Sequence, residues 1–175
     1  WGQRMNPRFR ELILGGELTP VSKMSGAFLA PESNLHLQFA YYQSSLVVEH
    51  LTERFGLEAI RNILKDLGEG VEINAAIAKH TEPLDKLETA FRAYAVAKAK
   101  ALAPELDWTK PDPETLRTGV EEFAKKHPKN FYLLVRQARR ALNDKDWEAV
   151  KAACKELIKL FGLLVQSIMA QLLSG

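Results

Sequence analysis

Helical periodicity dominates this chain, and stretches that alternate apolar with polar residues, as strands do, are nearly absent. Apolar side chains recur every three or four residues through most of 34–102 and again after 114. Capping residues and helix breakers separate these stretches, such as Asn6-Pro7 at one helix start and Gly15-Gly16 at its end. The pattern predicts an all-α fold, a multi-helix array in which short turns make neighbouring helices antiparallel.

A proline-rich break divides the helices into two regions. Residues 103–113, APELDWTKPDP, hold three prolines and no periodicity, and they predict a linker. In the first region, 1–102, we expect 17–34 to be mostly loop. A long helix then starts at Ser33 or Asn34 and stops at Gly56, and Thr81 caps a later one. The second region, 114–175, resumes with three helices.

The second region resembles tetratricopeptide helix pairs in the stretch ARRALNDKDWEAVKAACKELIKLFG. Small residues in the first helix, a polar turn, an aromatic residue and further small residues form that pattern. The resemblance predicts a tetratricopeptide-like helical region that is able to dock a protein partner. One pair is clear, and such arrays need about three repeats to be stable alone. An ordinary helical bundle is therefore the alternative for 114–175.

Composition limits the possible partners. The 175 residues carry a net charge of +2 and no long basic run, so electrostatics predict no nucleic-acid partner. The apolar tail Leu163–Leu173 is shorter than the roughly 20 residues that span a bilayer. We expect no membrane span and assign the tail to a helix that packs in cis or on a protein partner. Cys154, the single cysteine, is predicted to be a buried small side chain. Because the chain opens on Trp1, we expect it to be part of a longer protein.

The histidines do not form a metal motif. His36, His50, His80 and His127 are scattered, and no two have the spacing of ligands. The segment HLTER at 50–54 places Arg54 where a zinc helix needs its second histidine. His50 and Glu53 are therefore interpreted as a solvated or interhelical pair, and the chain itself is predicted to hold no metal and no other cofactor.

The segment FAYYQSSLVVEHLTERFG, residues 39–56, decides between an active site and a core helix. Its helix is apolar almost all round, which favours a buried central helix with satisfied tyrosine and serine hydroxyls. No elbow motif surrounds Ser44 and Ser45, so a serine hydrolase is not indicated.

The order of motifs from 39 to 94 is similar to the C-terminal helical part of gluzincin-type zinc metallopeptidases, the peptidase MA-like group. The matching segments are Tyr41-Tyr42-Gln43-Ser44, the helix end Phe55-Gly56, EAIRNILKDLGEG at 58–70, and LDKLETAFRAY at 84–94. The resemblance covers about residues 1–102. It implies peptide-bond hydrolysis in a longer parent protein, with a peptide or protein substrate.

The resemblance assigns Tyr41 a catalytic role, the stabilisation of the oxyanion, with Tyr42 as the fallback. It places the zinc-binding H-E-x-x-H helix before residue 1, so zinc is expected in the parent and the fragment alone is expected to be inactive. Glu11, Glu17 and Glu32 lie too close to Tyr41 to be the third zinc ligand. Two alternatives remain, a non-catalytic tetratricopeptide-like interaction module and a purely structural helical domain.

Overall fold

The protein is helical, as the sequence predicts. Its computed structural model describes residues 4–161, and within them there are nine α-helices, one 3-10 turn and no strand. The helices are α1 (Pro7–Leu14), α2 (Met24–Leu29), α3 (Asn34–Gly68), α4 (Ile73–His80), α5 (Leu84–Lys100), α6 (Pro113–Thr118), α7 (Val120–Lys126), α8 (Phe131–Asn143) and α9 (Trp147–Phe161). The chain divides into two compact units between Leu102 and Ala103. The predicted tail helix at 163–173 lies outside the described residues.

The long helix α3 organises the first unit. Ser33 caps its start, because the Ser33 hydroxyl accepts a hydrogen bond from the backbone N–H of His36. Gly56 breaks the helix at φ 79° and ψ 168°, and a second helical segment continues to Gly68. The predicted cap and the predicted stop are both confirmed. The periodicity of the apolar residues from Leu57 to Leu67 also predicts a helix over 57–67 that ends at Gly68, and this is the second segment.

Aromatic and aliphatic side chains from α1, α3, α4 and α5 form the core of the first unit. Phe9 of α1 stacks on Tyr42 with ring centroids 4.9 Å apart and lies 5.6 Å from the ring of Phe39. Small residues, Ala95 and Ala99, are fully buried on α5 and allow its close approach to the other helices. Other members of this core are Leu12, Ile13, Leu46, Leu51, Ile63, Ile77, Leu87 and Phe91.

Two local expectations are wrong. Residues 17–34 are more helical than predicted, since they contain a 3-10 turn at Val21–Lys23 and all of α2. Thr81 does not cap α5. Its hydroxyl donates to the carbonyl of Ile77 at the end of α4, and Pro83 stands at the start of α5 without a side-chain cap. A proline at that position presets the backbone for a helix start.

In the second unit, the segment predicted as a linker is hydrogen-bonded to the turn before α8. The Asp107 N–H donates to the Lys129 carbonyl at 3.0 Å, and the Phe131 N–H donates to the Asp107 carbonyl at 2.9 Å. The carboxylate of Asp107 also bonds the imidazole of His127. Residues 103–113 thus belong structurally to the second unit. The helices α8 and α9 follow as a pair joined by a three-residue turn, Asp144 to Asp146.

Asn130 is the fully buried polar residue of this arrangement. Its Oδ1 accepts from the Leu133 N–H at 3.2 Å, which caps α8, and its Nδ2 donates to the Thr109 carbonyl at 2.7 Å. One amide therefore satisfies a helix terminus and ties the 103–113 segment to α8.

Replacing Gly56 tests the backbone break in α3. Its φ and ψ lie in a region that only glycine adopts at low cost, so Gly56→Ala is expected to lower the free energy of unfolding by about 1–3 kcal/mol. Urea unfolding measures the change. Gly68→Ala is the matched control, because Gly68 also has open space around it and lacks a positive φ. Equal effects at the two positions would contradict the strain argument.

Replacing Asn130 tests the buried amide. Asn130→Ala removes the cap of α8 and leaves the Thr109 carbonyl without its donor, so we expect a loss of about 2–3 kcal/mol in unfolding free energy. Asp112→Ala is the comparison, since Asp112 caps α6 at the exposed surface. A loss at Asn130 no larger than that at Asp112 would show that the buried amide contributes only a cap.

Candidate functional site

A buried glutamine on α3 fixes the loop before α2. Gln43 is 1% exposed, and its side-chain amide pairs with both backbone groups of Thr19. Its Oε1 accepts from the Thr19 N–H at 3.1 Å, and its Nε2 donates to the Thr19 carbonyl at 2.5 Å. The loop is further held at Ser22, whose N–H and hydroxyl both donate to Glu88 and whose carbonyl accepts from Asn74.

The anchored loop leads into α2, which lies beside Tyr41. The ring of Phe28 meets the ring of Tyr41 edge-on, with centroids 5.0 Å apart and planes inclined by 70°. Leu29, the last residue of α2, is 85% exposed. The sequence of α2, MSGAFL, contains no charged residue. Tyr41 thus has an apolar neighbour on one side and solvent on the other.

Tyr41 lies at the middle of a face of α3 that carries no charge. We call this face the uncharged strip, and its residues, spaced three or four apart, are Leu37, Tyr41, Ser44, Ser45, Val48 and Thr52. Tyr41 is 57% exposed and Val48 is 51% exposed. The Ser44 and Ser45 hydroxyls donate back to the carbonyls of Tyr41 and Tyr42, at 2.9 and 2.7 Å. The exposed phenol of Tyr41 is therefore surrounded by small, uncharged side chains.

Two charged residues of α3 near the strip, Glu49 and Arg54, are held in ion pairs. Glu49 accepts from the Nζ of Lys98 on α5 at 2.8 Å, and this hydrogen bond lowers the pKa of Glu49 and raises that of Lys98. The guanidinium of Arg54 contacts Glu82 with two nitrogens, at 2.6 and 3.0 Å. Because these charges are paired with other side chains, they are not directed at the strip.

Tyr42, the fallback residue, points the other way. It is 5% exposed, it stacks on Phe9, and its hydroxyl donates to the sulfur of Met5 at 3.8 Å. Burial, followed by the nearby Glu49 carboxylate, raises the pKa of Tyr42 to about 12. Of the two candidate tyrosines, Tyr41 is the one whose hydroxyl can reach a ligand without disturbing the core.

His50 is a core residue, and the expected pairing with Glu53 is wrong. Its side chain is only 7% exposed and lies between the rings of Phe91 and Tyr94, at 5.9 and 4.8 Å. Its Nε2 has no hydrogen-bond partner among the described residues. Burial, together with the positive charge of Arg54, lowers the pKa of His50 below its ordinary value. Its surroundings thus disfavour the protonated imidazole.

Within residues 4–161, no three His, Cys, Asp or Glu side chains are arranged to hold a metal ion. Glu17 and Glu32 do converge on His36, but both carboxylates contact the same ring nitrogen, at 3.1 and 3.7 Å. The two carboxylates therefore compete for one nitrogen of His36 and do not surround a position that a metal ion could occupy. A zinc ion does not fit the side chains described.

A small cleft lies beside the anchored loop. Its volume is about 290 Å³, and it is lined by residues 18–21 and by the first turns of α5, including Asp85, Glu88 and Arg92. Tyr41 does not line it.

Sequence reasoning missed two contributors to this site. The sequence predicts that 17–34 is mostly loop, whereas Phe28 and Leu29 lie at the end of α2. Gln43 belongs to the Tyr41-Tyr42-Gln43-Ser44 segment of the resemblance, which does not predict its pairing with Thr19. Its position one turn after Phe39, on the buried face of α3, was the available signal for a buried polar role.

Comparison with known protein families, with curated proteins and with solved structures finds no match to this chain. Among the helices of residues 4–161, none has both the length and the apolar composition that a bilayer crossing requires.

The pH dependence of unfolding tests the burial of His50. Because the folded protein binds this proton more weakly than the unfolded chain does, stability is complete above about pH 6.5 and falls as pH drops toward the lowered folded pKa. The slope from this one proton is at most about 1.4 kcal/mol per pH unit. Urea unfolding between pH 5 and 7 measures it.

Two variants separate titration from packing. His50→Phe and His50→Gln both remove the titrating imidazole, although their side chains fill the space differently. Both should therefore flatten the dependence of the unfolding free energy on pH. The salt bridge of Asp66 with Lys79 and His80 lowers the pKa of Asp66, so its effect appears below about pH 4, outside this range. An unchanged slope in both variants would contradict the account.

Proposed function

We propose that this chain is the helical lobe of a zinc-dependent metallopeptidase and that Tyr41 stabilises the oxyanion formed during peptide-bond hydrolysis. The observation that supports the proposal is the division of the tyrosine pair. Tyr41 is exposed at the centre of the uncharged strip, while Tyr42 and Gln43 hold the same helix to the core. If both tyrosines served only to pack the core, exposure of the Tyr41 side chain on the uncharged strip would serve no purpose.

Peptide-bond hydrolysis is accelerated by a hydrogen-bond donor that is held in a fixed position. When water attacks a peptide carbonyl, negative charge develops on the oxygen, and a donor aimed at that oxygen stabilises the transition state more than the substrate. The Tyr41 hydroxyl can donate this bond, since its ring is braced against Phe28. The two serine hydroxyls beside it are already bonded to backbone carbonyls, so they neither compete nor serve as nucleophiles.

The proposal places the metal outside the described residues. In such enzymes, a bound zinc ion polarises the carbonyl and lowers the pKa of water. Its ligands are proposed to lie in an H-E-x-x-H helix before residue 1, since residues 4–161 do not provide them. What this chain contributes is the donor on α3 and the surface around it.

A non-catalytic, tetratricopeptide-like interaction module is the second candidate. The observation that favours it is an exposed aromatic residue, Trp147, which is 56% exposed at the start of α9. Exposed tryptophans are frequent anchors in protein interfaces. In this alternative a protein partner covers α9, and Tyr41 has no chemical role.

Tyrosine-to-phenylalanine variants test the first proposal. In the longer protein that includes the preceding zinc helix, Tyr41→Phe is expected to lower kcat for peptide hydrolysis by roughly 100- to 1000-fold, as loss of one oxyanion donor does. The ring and its contact with Phe28 are retained, so the fold should be unaffected.

Two matched variants serve as controls. Tyr42→Phe removes a buried hydroxyl, and Tyr132→Phe removes one in the second unit, and both should leave kcat near the wild-type value. A Tyr41→Phe protein that is as active as wild type would refute the role of Tyr41. Absence of zinc-dependent hydrolysis in the longer protein would favour the interaction module.

A further inference from the structure

We propose that the cleft between residues 18–21 and α5 is a binding site for a short free peptide, which it holds by the two charged termini. The cleft has a volume of about 290 Å³, and one of its walls is a face of α5 that carries both acidic and basic side chains. This inference does not depend on the proposed function, because Tyr41 is not among the residues that line the cleft.

The charged side chains of the cleft come from one side of α5. Asp85, Glu88 and Arg92 follow one another at three- and four-residue spacing, which places them on the same side of the helix. Asp85 and Arg92 are exposed, and Glu88 is half-buried. The cleft therefore offers carboxylates toward the start of α5 and a guanidinium further along the helix.

The guanidinium of Arg92 is available to a ligand. A glutamate four residues before an arginine is well placed to form an ion pair with it on a helix surface. Here Glu88 bonds the loop instead, and its Oε1 accepts from the N–H and the hydroxyl of Ser22, at 3.1 and 2.6 Å. Within residues 4–161, neither Arg92 nor Asp85 makes an ion pair. A ligand carboxylate can therefore pair with Arg92 without breaking a contact of the protein.

The wall opposite α5 is fixed and has few free hydrogen-bonding groups. Both backbone groups of Thr19 are bonded to the buried glutamine of α3. Pro20 has no N–H, and its carbonyl accepts from the N–H of Lys23. The other lining residues of this segment, Leu18 and Val21, are apolar. Recognition of a polar ligand therefore depends on the charged groups of α5, while the loop supplies a preformed apolar surface.

The dimensions of the cleft suit a peptide of two or three residues. Asp85 and Arg92 are seven helical steps apart, which corresponds to roughly 10 Å at 1.5 Å per residue. Helical side chains lean toward the N-terminus of the helix, so the long arginine side chain brings its charge nearer to Asp85. An extended chain advances about 3.3 Å per residue, so the ammonium and the carboxylate of a di- or tripeptide match this separation. The cleft volume lies at the lower limit for ligand sites, which fits a ligand of this size.

Titration of the 175-residue chain with trialanine, followed by NMR, tests the proposal. We expect saturable shifts of the backbone amide signals of Val21, Thr89 and Arg92, which line the cleft. Blocking one terminus of the peptide, as the N-acetyl or as the C-amide form, should weaken binding by roughly tenfold or more. Each block removes one charge-assisted hydrogen bond.

Two variants assign the termini to their partners. Arg92→Gln should weaken binding of trialanine by about tenfold and leave binding of the C-amide form unchanged, and Asp85→Asn should do the same with the N-acetyl form. Both side chains are exposed, so both variants should fold. Arg61→Gln is the matched control, since Arg61 is exposed on the second segment of α3 and does not line the cleft.

Three outcomes would overturn the inference. They are the absence of saturable shifts at the cleft with millimolar trialanine, equal affinity for the free and the blocked peptides, and wild-type affinity for trialanine in Arg92→Gln. None of them bears on zinc-dependent hydrolysis or on Tyr41. The proposed function is tested separately, in the longer protein.

Discussion

The pairing of one buried amide with one backbone position holds the candidate site together. Gln43 bonds both the N–H and the carbonyl of Thr19 inside the core, where an unpaired amide is costly. Since the loop is fixed at this point, α2 follows in a defined direction and places Phe28 against Tyr41. The position of the exposed phenol thus depends on a residue that is itself inaccessible.

The helix α3 carries its charged side chains and its uncharged strip on different faces. On its inner faces, α3 buries aromatic side chains and His50, while Glu49 pairs with a lysine of α5 and Arg54 pairs with a glutamate on the segment before α5. The remaining face is left without charge over about four turns. A hydroxyl on such a face keeps its hydrogen-bonding capacity for a ligand, because no charged neighbour of the strip takes it.

Much of the fold follows from local rules that the sequence displays. Helix starts at Asn6 and Ser33 are set by capping side chains, and the break at Gly56 by a backbone conformation that glycine tolerates. The predicted burial of Cys154 is confirmed as well. These features depend on residues within a few positions of each other, so periodicity and caps are sufficient to predict them.

The features that escaped prediction depend on contacts distant in sequence. Thr81 satisfies the carbonyl behind it instead of the helix ahead, because Pro83 already presets that start. His50 looks like the partner of Glu53 within one helix, yet it is enclosed by Phe91 and Tyr94 of α5. The hydrogen bonds that Asn130 and the turn before α8 make with the 103–113 segment likewise join residues about twenty positions apart.

The central claim is that the Tyr41 hydroxyl faces the reacting carbonyl of a bound peptide. The most direct measurement is a crystal structure of the longer protein with a peptide phosphonate, whose tetrahedral oxygens imitate the oxyanion. The account predicts that the Tyr41 hydroxyl lies about 2.7–3.1 Å from one phosphonate oxygen. A Tyr41 ring covered by another helix of the protein, with the phosphonate bound elsewhere, would contradict it.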